Sequence, residues 1–142
     1  MTTEEAIPAP PAGFVRLDGK ASFTTHNGPL FQRTPEGEAT GVEQALYILP
    51  RHTNTLGVLH GGMLSSFLDG LLGGAVRRGS GRTGVTIHLS VDFLRMARKG
   101  EWLMGESRMT HLTRDVAFAE ARAWVGRSDV GRATGVFKLM DR

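Results

Sequence analysis

A change of hydrophobic period near the middle of the chain constrains the fold more than any other feature. From Gly61 to Arg78 the apolar residues follow helical spacing, and from Val85 onward they alternate with polar residues, as in a β-strand. The apolar residues of the helix are Met63, Leu64, Phe67, Leu68, Leu71, Leu72, Ala75 and Val76. They occupy a wider arc than a surface helix usually shows, so we expect the helix to be deeply buried.

Four strands are predicted after this helix, at 85–93, 102–112, 116–125 and 132–139, and one before it from Glu38 to Leu49. Val85, Ile87, Leu89, Val91 and Phe93 should share one face of the first strand. Ala117, Ala119, Ala121 and Ala123 form a small face where a helix could lie close. Since short connections imply antiparallel hairpins, we expect a meander. The predicted fold class is α+β, an antiparallel sheet wrapped around one long central helix.

The length of 142 residues suits a single domain. Residues 1–13 are polar and then proline-rich, which predicts a disordered or loosely attached tail, and residues 14–142 form the predicted domain. The chain shows neither a signal peptide nor an apolar run that could span a bilayer, so we expect a cytoplasmic protein without membrane contact.

Composition argues against several other functions. The net charge is +3, with the arginines scattered and no interleaved aromatic residues, so nucleic-acid binding is not expected. The chain has no cysteine, and no two of its five histidines have the i, i+4 spacing of a zinc protease. No phosphate-binding glycine motif follows a strand. We therefore expect no metal and no separate cofactor.

The segment from Asn54 to Asp69 carries the candidate chemistry. It places an amide, the imidazole of His60, the glycines 61 and 62, and a carboxylate around the start of the helix. Helix N-termini offer unpaired N–H groups and a partial positive charge, which suit a polarised carbonyl. We favour the Gly61 N–H as that donor, although the glycines could serve turn geometry alone, His60 could cap the helix and Asn54 could satisfy loop backbone.

Asp69 is the candidate base or nucleophile. On a helical plot it lies in a stripe of small residues with Gly62, Ser65, Ser66 and Gly73, where a second backbone or a ligand can come close. A solvated face would carry long charged side chains instead, which argues against a plain surface carboxylate or a cap partner. About two helical turns, roughly 12 Å, separate Asp69 from the helix start.

The pattern Asn54-x5-His60-Gly61-Gly62-x6-Asp69 resembles that of the PaaI-like acyl-CoA thioesterases, which have the hotdog fold. Further segments resemble the family in the same order, over roughly residues 26–140. These segments begin at His26, Arg51, Gly84, Val91 and Arg114. One departure is Met96, where relatives commonly carry proline.

The resemblance implies hydrolysis of an acyl-CoA to a carboxylate and CoA, with Gly61 polarising the thioester carbonyl. Asp69 would activate water as a general base or attack as a nucleophile, and Thr86 would orient the water. Asn54 and His60 would position the carbonyl or the water. The CoA phosphates would explain some of the basic residues at strand ends and turns. The candidates are Arg95, Arg98, Lys99 and Arg114.

The resemblance also implies a homodimer with active sites at the interface, Gly61 coming from one subunit and Asp69 from the other, and a tetramer as a dimer of dimers. The alternative is a non-catalytic hotdog module that binds or senses acyl-CoA, which would not need Asp69. A hotdog dehydratase is disfavoured because its His/Asp or His/Glu arrangement is not found. Aromatic residues that could shape an acyl pocket are Phe23, Phe31, Phe67, Trp102 and Phe118.

Overall fold

The structure, a computed structural model, describes residues 6–17, 22–37 and 40–141. It consists of a seven-stranded antiparallel sheet and one long helix. The elements are β1 (Val15–Arg16), α1 (Ser22–Asn27), β2 (Leu30–Arg33), β3 (Val42–Tyr47), a 3-10 turn (Pro50–His52), α2 (Gly61–Ser80), β4 (Gly84–Phe93), β5 (Trp102–Leu112), β6 (Val116–Val125) and β7 (Ser128–Leu139). The predicted α+β hotdog architecture is confirmed.

The strand order is β1-β2-β3-β5-β6-β7-β4. Strands β5, β6 and β7 form the expected hairpins, but β4 pairs with β7, so the predicted meander of four strands is wrong. The connection from β4 to β5 is not a tight turn. It crosses the end of the sheet, where Leu94 N–H donates to Val130 and Ala97 accepts from Leu59 N–H, and delivers β5 beside β3. Strand β4 is therefore left at an edge of the sheet.

Helix α2 lies against the small face of the sheet, as predicted. The four alanines of β6 are at most 7% exposed, and all eight apolar residues of the helix are buried. Gly105 of β5 shows how close the approach is. A Cβ atom there would lie 2.4 Å from Leu71 Cδ1 and 2.6 Å from Phe67 Cε2. Any side chain at this position would have to displace these two buried side chains of the helix.

Strand β4 departs from its predicted alternation. Its pairing with β7 shifts register between Thr86 and His88, which marks a β-bulge. The bulge exchanges the two faces, because one extra residue reverses the direction of every side chain beyond it. Val85 and Ile87 are 51% and 60% exposed, whereas Leu89 and Val91 pack on the core. The expectation that all five apolar residues share one face is wrong.

The chain before β1 contacts the outer face of the sheet. Ile7 packs against a small cluster formed by Phe14, Phe31 and Ala45, and Arg33 Nη1 donates to the carbonyl of Ala12 at 3.1 Å. Residues 1–5 of the predicted tail lie outside the described residues, as do residues 38–39 of the predicted first strand. Among the described helices, none is long and apolar enough to cross a bilayer.

Candidate active site

The first turn of α2 leaves one backbone donor available. His60 N–H donates to His52 O at 2.9 Å, Gly62 N–H to His60 Nδ1 at 2.8 Å, and Met63 N–H to His60 O at 2.9 Å. The N–H of Gly61 donates to no acceptor among the described residues. Since the helix dipole adds partial positive charge at this end, Gly61 is the donor that an incoming oxygen would meet.

His60 is the N-cap of α2 through its side chain. Because Nδ1 accepts from Gly62 N–H, the hydrogen-bond network assigns the proton of the neutral ring to Nε2, which has no acceptor among the described residues. Gly62 permits this cap, because a Cβ atom there would lie 2.9 Å from Nδ1. The glycine pair therefore has two uses: Gly61 offers a donor, and Gly62 makes room for the imidazole.

Asn54 holds the loop that precedes the helix. Its Oδ1 accepts from Leu56 N–H at 2.9 Å and from Val58 N–H at 3.3 Å, and Thr53 bridges to Leu59. The side-chain oxygen thus accepts hydrogen bonds from loop backbone, which is one of the two roles considered for Asn54 from the sequence. By fixing this loop, Asn54 fixes the entry into α2.

The carboxylate of Asp69 is half-buried and faces β4. Thr86 donates its hydroxyl hydrogen to Asp69 Oδ1 at 2.7 Å. The β-bulge creates this contact, because Thr86 lies on the helix side of the strand and Ile87 on the outside. The family resemblance gave Asp69 and Thr86 related roles but did not imply a contact between them. The direct hydrogen bond follows from the bulge.

Gly61 and Asp69 do not meet within one chain. Both lie on the straight helix α2, and eight residues at 1.5 Å per residue place them about 12 Å apart along its axis. A thioester carbonyl held at Gly61 N–H is therefore out of reach of the same chain's Asp69. The chain presents two half-sites: a donor at the helix start, and a Thr86-bound carboxylate further along.

Three of the four basic candidates lie near the helix start. Arg95 lines a cavity that includes Gly61, Arg98 forms a β-bridge with Val58, and Lys99 N–H donates to Gly57 O at 3.3 Å. Arg114 lies at the other end of α2, in the turn between β5 and β6, where its carbonyl accepts from Arg82. One chain therefore does not bring Arg114 to the Gly61 half-site.

Two cavities flank the start of α2. We call the larger one, about 550 Å³, the Gly61 cavity. Its lining includes Val58, Leu59, Gly61, Leu64, Phe93 and Met96. The smaller, about 370 Å³, is the His60 cavity, and its lining includes Phe23, Asn27, Arg51, Thr53, His60 and Ser66. Within the described part of the chain, no three His, Asp or Glu side chains converge as metal ligands would.

Of the aromatic residues predicted to shape a pocket, only Phe23 lines either cavity. Phe67 lies in the main core, Phe31 packs on Trp102, and Phe118 packs on His111. Phe93, which sequence reasoning placed only as a strand residue, contributes the aromatic ring beside Gly61. Its position at the end of β4, directly opposite the helix start, depends on the strand order and could not be read from spacing.

Comparison with known proteins finds a matching family model and a similar curated protein. The model of the Thioesterase superfamily matches residues 56–131, more than half of the chain. A curated Pseudomonas aeruginosa protein, the "Putative esterase PA0474", is 37% identical over 131 residues, which cover 91% of this chain and 96% of that protein.

Two solved structures share the fold. The PaaI protein of the Escherichia coli phenylacetic acid degradation operon has a TM-score of 0.76 at 16% identity, covering 86% of each chain. A hypothetical thioesterase of Streptococcus pneumoniae solved with coenzyme A has a TM-score of 0.71 at 20% identity, covering 78% of this chain and 87% of that one.

Proposed function

This chain belongs to the Thioesterase superfamily and is a thioester hydrolase, and we propose that its substrates are acyl-CoA thioesters, cleaved to a carboxylate and free CoA. The observation that carries this proposal is the backbone N–H of Gly61, which has no acceptor among the described residues while the neighbouring backbone N–H groups of the first turn are engaged. The streptococcal thioesterase solved with coenzyme A, which shares the fold, supports CoA as the thiol part.

Gly61 would act on the thioester oxygen. A carbonyl hydrogen-bonded to its N–H becomes more electrophilic, and the negative charge that develops on oxygen during attack is stabilised by the same donor and by the helix dipole. The Nε2–H of His60 is a second donor on the same turn, and Asn54 fixes the loop that leads into it. We assign His60 to positioning the carbonyl or the water, and Asn54 to holding this loop.

Asp69 would supply the attacking group by one of two routes. As a general base it takes a proton from water, the hydroxide adds to the carbonyl carbon, and the C–S bond breaks to release CoA. As a nucleophile its carboxylate displaces CoA to form an anhydride, which water then hydrolyses. In both routes Thr86, bound to Oδ1, orients the carboxylate and leaves Oδ2 for the reaction. Neither route needs a metal or a separate cofactor.

A homodimer would unite the two half-sites. The edge strand β4 offers unpaired backbone groups, with Val85 and Ile87 exposed beside them, and such an edge invites pairing with another strand. Two β4 strands paired about a two-fold axis would bring the small-residue stripe of one α2 toward the helix start of the other. Gly61 of one subunit could then face Asp69 of the second. Two such dimers would form the expected tetramer.

The CoA phosphates would be bound by basic residues near the helix start. Arg95, Arg98 and Lys99 are exposed there, and arginine binds phosphate in a bidentate manner. Arg114 could contribute only from another subunit, since it lies at the far end of its own helix. We place the enzyme in the cytoplasm, where acyl-CoA is made and used.

Thiol release from acyl-CoA tests the reaction, and the protein adds no background because it has no cysteine. Asp69→Asn should lower kcat by about 10²–10⁴-fold, as the loss of a general base or nucleophile requires. Asp115→Asn removes an exposed carboxylate in the turn between β5 and β6 and is the matched control. Wild-type protein that binds acyl-CoA without releasing thiol would favour the sensing module, and unchanged turnover in Asp69→Asn would exclude Asp69 from the mechanism.

Mixing two inactive variants tests whether each site is shared. Asp69→Asn retains the donor, and Gly61→Pro retains the carboxylate. If each site takes one group from each subunit, a mixed dimer has one intact site of two. Since about half of the dimers are mixed after full exchange of equal amounts, activity should recover to about a quarter of wild type. No recovery, with exchange shown by native mass spectrometry, would place both groups of a site in one chain.

A further inference from the structure

The two cavities beside the helix start differ in chemistry, and that difference indicates which one receives the acyl group. Resting on the proposed acyl-CoA hydrolysis, we propose that the Gly61 cavity binds the acyl chain, that it selects apolar, uncharged acyl groups, and that Phe93 is a specificity-determining residue in it. The donor position, the chemistry of the two linings and the placement of the Phe93 ring support this assignment.

The donor position links the reacting carbonyl to one cavity. Gly61 lines the Gly61 cavity, whereas the lining of the His60 cavity includes His60 and Gly62 but not Gly61. An oxyanion donor acts at about 2.7–3.1 Å from the oxygen it stabilises. A thioester oxygen at that distance from Gly61 N–H lies next to the lining of the Gly61 cavity, and the first acyl carbons are bonded to the same carbonyl carbon.

The lining of the Gly61 cavity suits hydrocarbon. Its side chains are aliphatic or aromatic apart from Arg95, which is exposed at its rim. The His60 cavity is instead lined by polar and charged groups such as Asn27, Arg51 and Thr53. Apolar surface is stabilised by leaving water, and a charged acyl terminus would lose its hydration without a buried partner in the Gly61 cavity. The lining therefore favours an uncharged hydrocarbon acyl group.

Phe93 controls the width of this cavity next to the reacting carbonyl. Its Cε1 lies 3.4 Å from the place where a Cβ on Gly61 would stand, so the ring lies directly beside the donor. Within one chain the ring is 60% exposed although it follows two inward-facing residues of β4, so its own chain leaves it available to a ligand. An acyl chain bound at Gly61 would pass against this ring. Removing the ring should admit acyl groups that are wider near the carbonyl.

Phe23 provides a matched control. It is 62% exposed, nearly the same as Phe93, and lines the His60 cavity on the other side of the helix start. The experiment compares wild type, Phe93→Ala, Phe93→Leu and Phe23→Ala on butyryl-, octanoyl-, benzoyl- and succinyl-CoA by thiol release. Phe93→Leu keeps an apolar side chain in case the alanine variant fails to fold, and thermal melting checks each protein.

We expect wild type to prefer butyryl-CoA over succinyl-CoA, which has the same number of acyl carbons but a terminal carboxylate. In Phe93→Ala the ratio of kcat/KM for benzoyl-CoA to that for butyryl-CoA should rise by about tenfold, the scale of a changed apolar pocket contact. Phe93→Leu should give a smaller change in the same direction. Phe23→Ala should leave the ratio within about twofold of wild type, a difference too small for a lost pocket contact.

Two results would overturn the inference while leaving acyl-CoA hydrolysis intact. One is a changed ratio in Phe23→Ala with an unchanged ratio in both Phe93 variants, which would move the acyl chain to the His60 cavity. The other is a wild-type preference for succinyl-CoA. If wild type releases no thiol from any of the four substrates, the proposed function fails, and the inference fails with it.

Discussion

The two polar groups that α2 contributes to the candidate site are held in different ways. The N–H of Gly61 is a backbone group placed by the start of the helix, and it has no acceptor among the described residues while Gly62 N–H donates to His60. The carboxylate of Asp69 is a side-chain group, held by Thr86 across the gap to β4. The first depends on local chain geometry and the second on a tertiary contact. Substitutions should therefore affect the two half-sites through different mechanisms.

Among variants at the helix start, the largest effect is expected from removing the backbone donor. Proline is favoured at the first position of a helix, and the extended backbone of His60 (φ −63°, ψ 135°) is what a residue before proline adopts. Gly61→Pro should therefore fold with the N–H replaced by the proline ring. We expect kcat to fall by about 10²–10³-fold, as when an oxyanion donor is lost, with a melting temperature close to that of wild type.

Gly61→Ala tests whether the glycine is needed for its N–H or for the space that its missing side chain leaves. Alanine keeps the N–H, and its Cβ would meet Phe93 Cε1 at 3.4 Å, an ordinary contact. Activity within about tenfold of wild type is expected, since the added methyl changes only the wall of the apolar cavity. If Gly61→Ala loses as much activity as Gly61→Pro, space rather than the N–H is what the glycine provides.

A smaller effect is expected from the residue that holds the carboxylate of the second half-site. Thr86→Val removes the hydroxyl that binds Asp69 Oδ1 and keeps the shape of the side chain. Loss of a hydrogen bond to a charged group should lower kcat by about tenfold, while KM changes little because Thr86 would not contact CoA. Thr86→Ser keeps the donor and should restore most of the rate. Equal losses in both variants would contradict a role through this hydrogen bond.

The same contrast explains what could be predicted from the sequence. The bounds of α2 and the donor at Gly61 follow from apolar spacing and from glycines at a helix start, which are local features. The hydrogen bond between Thr86 and Asp69 depends on the β-bulge, and strict alternation over 85–93 gives no sign of an extra residue. Thr86 was singled out only through family resemblance.

The strand order was beyond prediction for a related reason. Turn residues at Lys99 and Gly100 suggested a hairpin between β4 and β5, but the chain between these strands is long enough to cross the end of the sheet. The order of neighbouring strands depends on how the strands are buried against α2. The spacing of apolar and turn residues in the sequence does not show this order. Phe93 was missed for this reason, because its place beside Gly61 follows from β4 lying at the sheet edge.

The smallest effect is expected from the residue that supports the backbone donor. His60→Ala removes the acceptor of Gly62 N–H and should cost about 1 kcal/mol of unfolding free energy, the usual value for a lost N-cap. For a chain of this size that lowers the melting temperature by about 2–4 °C. Thermal unfolding followed by circular dichroism measures it.

His60→Asn then separates capping from contact with the substrate. Asparagine is a strong N-cap, so the melting temperature should return to that of wild type. It places no ring Nε2–H at the helix start, so kcat should be below that of wild type in both His60 variants if His60 also positions the thioester or the water. Recovery of both stability and kcat would make His60 a cap alone, and would leave Gly61 as the one donor of its half-site.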